Sequence, residues 1–496
     1  MDRTIVYAGA LGAGAHAVAV RAGRIVGLGD PSTLCRRFEG KVVRHVRGRF
    51  LPAALDGHLH LVDFGLALGE TDLRGLDAEK TLERLRAARA QGEGVRGEFL
   101  LGRGARPGVL RQLSERRDAL AELAPLRIWA QDLHTALTDP GTARRLGLHR
   151  AETPGGEVVR DLSGEVTGLL RESATAPLAE AAQPDQASRE RAARRAIEAL
   201  WQRGIVGAVT FERADGESAV ARATEEMPFH AYVYRYAESL QAGARPQVLS
   251  RRSVRVGAKY FLDGTLGSRT AWMLVPYADH PATGMPRLDP DEAREGMREL
   301  AGNGFSLALH AIGDRAAQEA LRLLEGMPLA AAPHRIEHLQ VVAEGFAQRL
   351  AQAGVTASVQ PCHLEQDLAE ARAAWADRLE RAYPYSELLS AGANLCFGSD
   401  APVEDPSLQL GLRWAVGADA VGGGVRHGVS VEEGLAAYTQ GVLRSVGAQG
   451  GRVAVGEPAN LALYENGPMQ DAMPMLLLSE GEPVHEVAGA YREETL

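Results

Sequence analysis

Cysteine is nearly absent: 496 residues hold Cys35, Cys362 and Cys396, far apart and with no CxxC pair. They fit a reducing compartment and unpaired thiols better than a disulfide framework. Lysine is just as scarce, with Lys41, Lys80 and Lys259 standing among 55 basic residues. A chain so biased uses Arg wherever a generic positive charge suffices, so each remaining lysine raises the question of what Arg could not do there. No apolar run reaches the ~18 residues that a membrane helix needs. The start, Met1-Asp2-Arg3, lacks the basic segment and apolar middle of a secretory leader. The expectation is a cytoplasmic protein without a membrane partner. No basic cluster stands out and the net charge is −9, so no nucleic-acid partner is expected. A GxxxxGK[ST] loop and a GxSxG elbow are both missing, and the glycine run at 9–14 lacks dinucleotide-binding spacing.

Hydrophobic residues make up 45% and charged residues 24%, as in a folded globular protein. Single cores rarely grow beyond roughly 250–300 residues, so more than one structural unit is expected. Short apolar runs alternate with Ala/Arg/Glu/Leu-rich helical stretches, the pattern of βα units. Eight runs serve as barrel strands: 50–55, 205–211, 230–236, 254–262, 305–310, 335–339, 356–360 and 394–397. Helices are expected between them, for example over 291–301 and 315–324. The fold class is therefore α/β: a (β/α)8 TIM barrel over 51–449, with a small β-sandwich domain built from both termini, 1–50 and 450–496. β-like pieces in that domain lie at 17–20, 24–28, 41–46, 460–464 and 484–491. The stretch 65–200 after strand one is too long for a loop and reads as an inserted subdomain, with strand-like pieces at 98–102 and 127–131.

Active-site residues of such barrels come from the C-terminal ends of the strands. The first run leads into Asp56-Gly57-His58-Leu59-His60, where side chains two apart point the same way and can reach one metal. The fifth ends in His310, the sixth in His338 and the eighth in Asp400. Singly, each histidine could be a core residue and Asp400 a helix cap. Four imidazoles and a carboxylate at four strand ends suit Zn2+ or a similar first-row ion. Lys259 lies in the apolar fourth run. A bare buried ammonium is costly. A neutral lysine can instead add CO2 and become an anionic bridge between two metals, which Arg cannot do. The plainer alternative is an amine reaching water at a strand end.

The stretches PAALDGHLHL (52–61), KYFLDGTLGSRTA (259–271), LHAIGDRA (309–316), RIEHLQ (335–340), SVQPCHLEQD (358–367) and GSDAPV (398–403) resemble the amidohydrolase superfamily. The resemblance is to its amidohydrolase-3 (YtcJ-like) branch, which includes N-substituted formamide deformylases. It implies the barrel, the composite β domain, the insertion and a binuclear metal site. The ligands it implies are His58, His60, Lys259, His310, His338 and Asp400, and all six are present. Candidates for substrate contact are His134, Asp263, Arg269, His363 and Asp367. Departures from the family pattern occur at Ala105-Arg106, Asp139-Pro140 and Asn460.

The expected activity is metal-dependent hydrolysis of a non-peptide C–N bond in a small-molecule substrate. The expected cofactors are two Zn2+ per chain with carboxylated Lys259 between them. Hydroxide held between the ions attacks, and Asp400 passes the proton to the leaving amine. A rival reading has one ion on His58, His60, His310 and Asp400, with His338 as acid/base, and a deaminase or esterase activity. A non-catalytic metal-binding scaffold is the third. Barrels of this kind often pair, so a homo-oligomer is a further expectation.

Overall fold

The computed structural model describes residues 4–11, 17–38, 41–130, 135–150 and 156–495. The chain forms two compact units: Met1–Leu61 with Ile197–Leu496, and Val62–Ala196.

The first unit contains the barrel. Its strands are β1 (Ala54–Leu59), β2 (Ile205–Glu212), β3 (His230–Tyr236), β4 (Ser253–Phe261), β5 (Ser306–Ala311), β6 (Arg335–His338), β7 (Thr356–Val359) and β8 (Leu395–Phe397). They pair in parallel in chain order. A parallel bridge between Leu59 and Ala401 closes β8 back onto β1. Every residue of β1, β2 and β5 to β8 is buried. That is the mark of strands covered on both faces, and it explains why these runs read as continuously apolar. Helix Pro290–Gly302 starts where Asp289 accepts hydrogen bonds from the Asp291 and Glu292 amides, with a proline in its first turn. Helix Asp314–Leu324 buries Ala316, Ala317, Ala320, Leu321 and Leu324 along one stripe.

The strand expected over 50–55 is displaced. The strand Val42–Pro52 belongs to the terminal sheet, and β1 begins only at Ala54. The terminal sheet runs Glu482–Glu486, Leu476–Ser479, Leu461–Tyr464, Val42–Pro52, Ile5–Leu11, Ala17–Arg21, Arg24–Gly29, with Tyr491–Thr495 also on Val42–Pro52. Val42–Pro52 serves both halves: Val42 to Phe50 pair with Ile5–Leu11, and Arg49 to Pro52 pair with Leu461–Tyr464. Side chains alternate between two faces. Tyr7, Val18 and Val20 join Leu461, Leu463 and Leu476 in one apolar cluster, so the sheet folds on itself as a small sandwich. Val6, Ala17 and Ala19 pack on the other face with Leu34 and Phe38.

The second unit has its own sheet: Gly156–Arg160, Val166–Glu172, Thr135–Thr138, Leu126–Ala130, Phe99–Ala105, Thr71–Asp72. Consecutive residues again serve opposite faces, Leu100 in one cluster and Phe99 and Leu101 in the other. Sequence reading had found two of these strands. Among the described residues, no helix is long and apolar enough to cross a membrane.

Candidate metal centre

Closure of the barrel brings β1 and β8 into register. The Asp400 amide donates to His58 O at 2.6 Å, and the His60 amide donates to Ala401 O at 2.8 Å. Two glycines permit this approach. A Cβ on Gly57 would lie 2.5 Å from Phe397 O, and one on Gly398 would lie 2.3 Å from the His58 amide nitrogen. Asp56 fastens the junction, accepting from the amides of His58 and Ser399 at 3.0 Å each. Burial pushes its carboxyl up to about 7.

Around this junction the imidazoles gather. The Nε2 atoms of His58 and His60 lie 3.3 and 3.2 Å from Asp400 Oδ1. The His338 ring is 5.0 Å from His58 and 4.4 Å from His310, centroid to centroid. Ligand atoms of His58, His338 and Asp400 all lie within 4.8 Å of one another. His310 and His60 lie beside this trio.

Each imidazole has one nitrogen tied outward. His58 Nδ1 meets Glu337 Oε2 at 2.6 Å. His60 Nδ1 meets Phe211 O at 3.2 Å and the Tyr236 hydroxyl at 3.0 Å. His338 Nδ1 donates to Gln360 Oε1 at 2.8 Å, and His310 Nε2 to Gly264 O at 3.0 Å. Such outer partners fix ring orientation and tautomer, which is how metal-binding histidines are usually held. Glu337 is itself held by Arg335, whose Nε donates to Oε1 at 2.5 Å; both residues are fully buried. Arg335 also donates to Gly57 O and Ser358 Oγ, each at 2.6 Å.

The electrostatics favour neutral imidazoles and an ionised carboxylate. Burial and the nearby Lys259 push His310 down to about 3, and burial and the other imidazoles hold His338 well below its usual range. Burial alone would raise Asp400, but His58 and His60 outweigh it and hold the carboxyl well below the usual range. Metal binding needs those protonation states.

Lys259 is 1% exposed. Its Nζ lies 4.2 Å from the centre of the Phe211 ring and 5.1 Å from that of Phe261. Among the described residues, no carboxylate comes within 4.0 Å of it. Burial pushes the amine down to about 8, against the pull of Glu337 and Asp400. Two centre residues are also strained. His338 has φ +78° and Asp400 φ +59°. Non-glycine residues held there cost about 1–3 kcal/mol each and cluster at functional sites.

Of the expected substrate contacts, Asp263 is fully buried and spent on the main chain, accepting from the Trp272, Ile312 and Gly313 amides. It also lies 3.4 Å from His310 Nε2. This placement is that of a brace rather than of a group reaching open space. Arg269 is engaged by Asp279 and Glu370. His363 and Asp367 lie beside the centre, with His363 Nε2 3.7 Å from Asp400 Oδ2. His134 lies outside the described residues.

Sequence reading missed Asp56, Tyr236, Arg335, Glu337 and Gln360. One signal was available: Arg335 and Glu337 are two charged residues, two apart, in a strand that is buried throughout.

A family model described as Amidohydrolase family matches residues 48–477. The putative amidohydrolase YtcJ of Bacillus subtilis is 28% identical over 432 residues, 81% of this chain and 80% of its own. The N-substituted formamide deformylase of Arthrobacter pascens is 24% identical over 358 residues, 66% of this chain and 65% of its own. An uncharacterized metal-dependent hydrolase of Pyrococcus horikoshii shares the fold, with TM-score 0.79 at 22% identity, covering 97% of this chain and all of that one.

Proposed function

The chain belongs to the amidohydrolase family, and from that premise we propose that it hydrolyses an amide-type, non-peptide C–N bond of a small molecule with two divalent ions, Zn2+ by donor chemistry. The observation that carries this reading is Lys259, a buried amine with no carboxylate within ion-pair distance among the described residues. A primary amine can lose its proton there and add CO2, giving a carbamate whose two oxygens suit two ions; an arginine cannot.

The donor set fits. His58, His60 and Asp400 would hold one ion, His310 and His338 the other, and carboxylated Lys259 both. When bound, the ions polarise the carbonyl and lower the pKa of water from ~15.7 to about 7. Asp400 would take the proton of the attacking water and return it to the leaving nitrogen. The balance is simple: the carbonyl carbon gains OH, the C–N bond breaks, and the amine gains H. Arg335 and Glu337 keep His58 aligned, and Gln360 keeps His338 aligned. The resemblance to formamide deformylases supports an N-substituted formamide or other N-acyl amine as substrate.

The test is 13C NMR of protein equilibrated with labelled bicarbonate and metal. The expected result is a carbamate resonance that disappears in Lys259→Arg together with most turnover on an N-acyl amine panel. A Lys259→Arg enzyme with full metal content and unchanged turnover would overturn the bridge. A second reading draws on the compact His58, His338 and Asp400 trio. It is a single ion with deaminase or esterase chemistry, and its ligands differ from the mononuclear set expected above.

A further inference from the structure

On β7's side of the centre, three residues form a chain that determines where one proton sits. Gln340 Nε2 lies 3.0 Å from Asp367 Oδ2. A carboxylate only accepts, so the Gln340 amide must turn its NH2 this way; the reverse would set two oxygens against each other. The Tyr383 hydroxyl, 3.5 Å from the same oxygen, adds a second donor to Asp367. The same Gln340 nitrogen lies 3.4 Å from His363 Nδ1. That ring nitrogen therefore accepts, and the imidazole proton is placed on Nε2. His363 is 8% exposed, and its Nε2 has no hydrogen-bond partner among the described residues. The nearest candidate, Asp400 Oδ2, is 3.7 Å away, beyond a hydrogen bond. Among the described residues, Gln340 Oε1 and Gln360 Nε2 are also buried without a hydrogen-bond partner. A buried N–H without an acceptor is costly to keep, and this one faces the carboxylate that handles the proton.

We propose that His363 is a fixed hydrogen-bond donor, through Nε2, to the oxygen of the substrate's scissile carbonyl, held in that orientation by Gln340 and Asp367. This rests on the hydrolase reading above and names the group that stabilises charge on the carbonyl oxygen as the C–N bond is attacked. Donors aimed at such an oxygen are worth about 10²–10³-fold in kcat. Gln340 and Asp367 are positioning residues.

The experiment compares zinc-loaded wild type, His363→Phe and Gln340→Met on N-acyl amines, with elemental analysis of each and 15N–1H NMR of the histidine rings. The expected result is a kcat about 10²–10³-fold lower in His363→Phe with KM and metal content nearly unchanged. Gln340→Met should lose less kcat, and its His363 should change from Nε2–H alone to a mixture of tautomers. Full kcat in His363→Phe overturns the proposal, as does metal loss in that variant, which would make the residue a ligand. A wild-type His363 carrying its proton on Nδ1 overturns it too. That spectrum also decides the matter if His363→Phe fails to fold. A zinc-loaded wild type that cleaves no N-acyl amine overturns the C–N reading instead, while the ring spectrum still decides the proton's place.

Discussion

The two sides of the centre treat buried polar atoms in opposite ways. On the side of β1 and β6, the Arg335 guanidinium donates to Glu337, Gly57 O, Ser358 and Ser445, and Glu337 passes the constraint to His58. On the side of β7, His363 Nε2, Gln340 Oε1 and Gln360 Nε2 are buried without hydrogen-bond partners among the described residues. Folded proteins rarely leave such atoms unpaired. The side of β1 and β6 spends its polar groups on holding a shape, while the side of β7 keeps polar atoms that no neighbouring protein group engages. Asp263 and Asp400 repeat the contrast within one residue type. The first is spent on three backbone amides, and the second faces the imidazoles of His58 and His60.

Substitutions can break this contrast, and the largest effect is expected at Glu337. Glu337→Leu strands the buried Arg335 charge and frees the His58 ring. Breaking a buried pair by removing one partner costs about 3–5 kcal/mol, so denaturant unfolding should show a loss of that order. Gly398→Ala comes next, because the new Cβ meets backbone rather than a flexible side chain. A loss of about 1–3 kcal/mol is expected, with His58 and Asp400 shifted apart in a crystal structure. Gln360→Leu sharpens the comparison, since it leaves the protein folded and unties His338 Nδ1. Metal affinity measured by chelator competition should fall about 10–100-fold, the usual effect of losing an outer partner. Arg269→Gln is expected to be smallest. Its partners Asp279 and Glu370 are partly exposed, and such pairs are worth about 0–1 kcal/mol. KM should also stay unchanged; a large rise would show Arg269 to be a substrate contact.

Much of the fold was legible because β-strands buried on both faces announce themselves as short apolar runs. Strand His230–Tyr236 lies where it was expected. The first strand was misplaced because Val42–Pro52 and Ala54–Leu59 are separated by one apolar residue, Ala53, so local sequence carries no boundary. The division arises from pairing: one segment finds Leu461–Tyr464 and the other finds β2. The expected 484–491 strand failed similarly, being the end of Glu482–Glu486, a turn, and the start of Tyr491–Thr495. The residues proposed as ligands were legible because a barrel places strand ends together and their residue types suit metals. Their outer partners were not. Nothing in a sequence joins Gln360 to His338, or Tyr236 to His60, until distant strands stand side by side. Nor does the sequence show that Asp263 accepts from the amides of Trp272, Ile312 and Gly313, two of them on another strand's loop.

The most direct test is metal stoichiometry, by elemental analysis of protein purified without chelator or added metal. Two divalent ions per chain are expected, falling to one or none in Lys259→Ala. A wild-type chain that binds a single ion whether or not Lys259 is present would contradict the bridged pair.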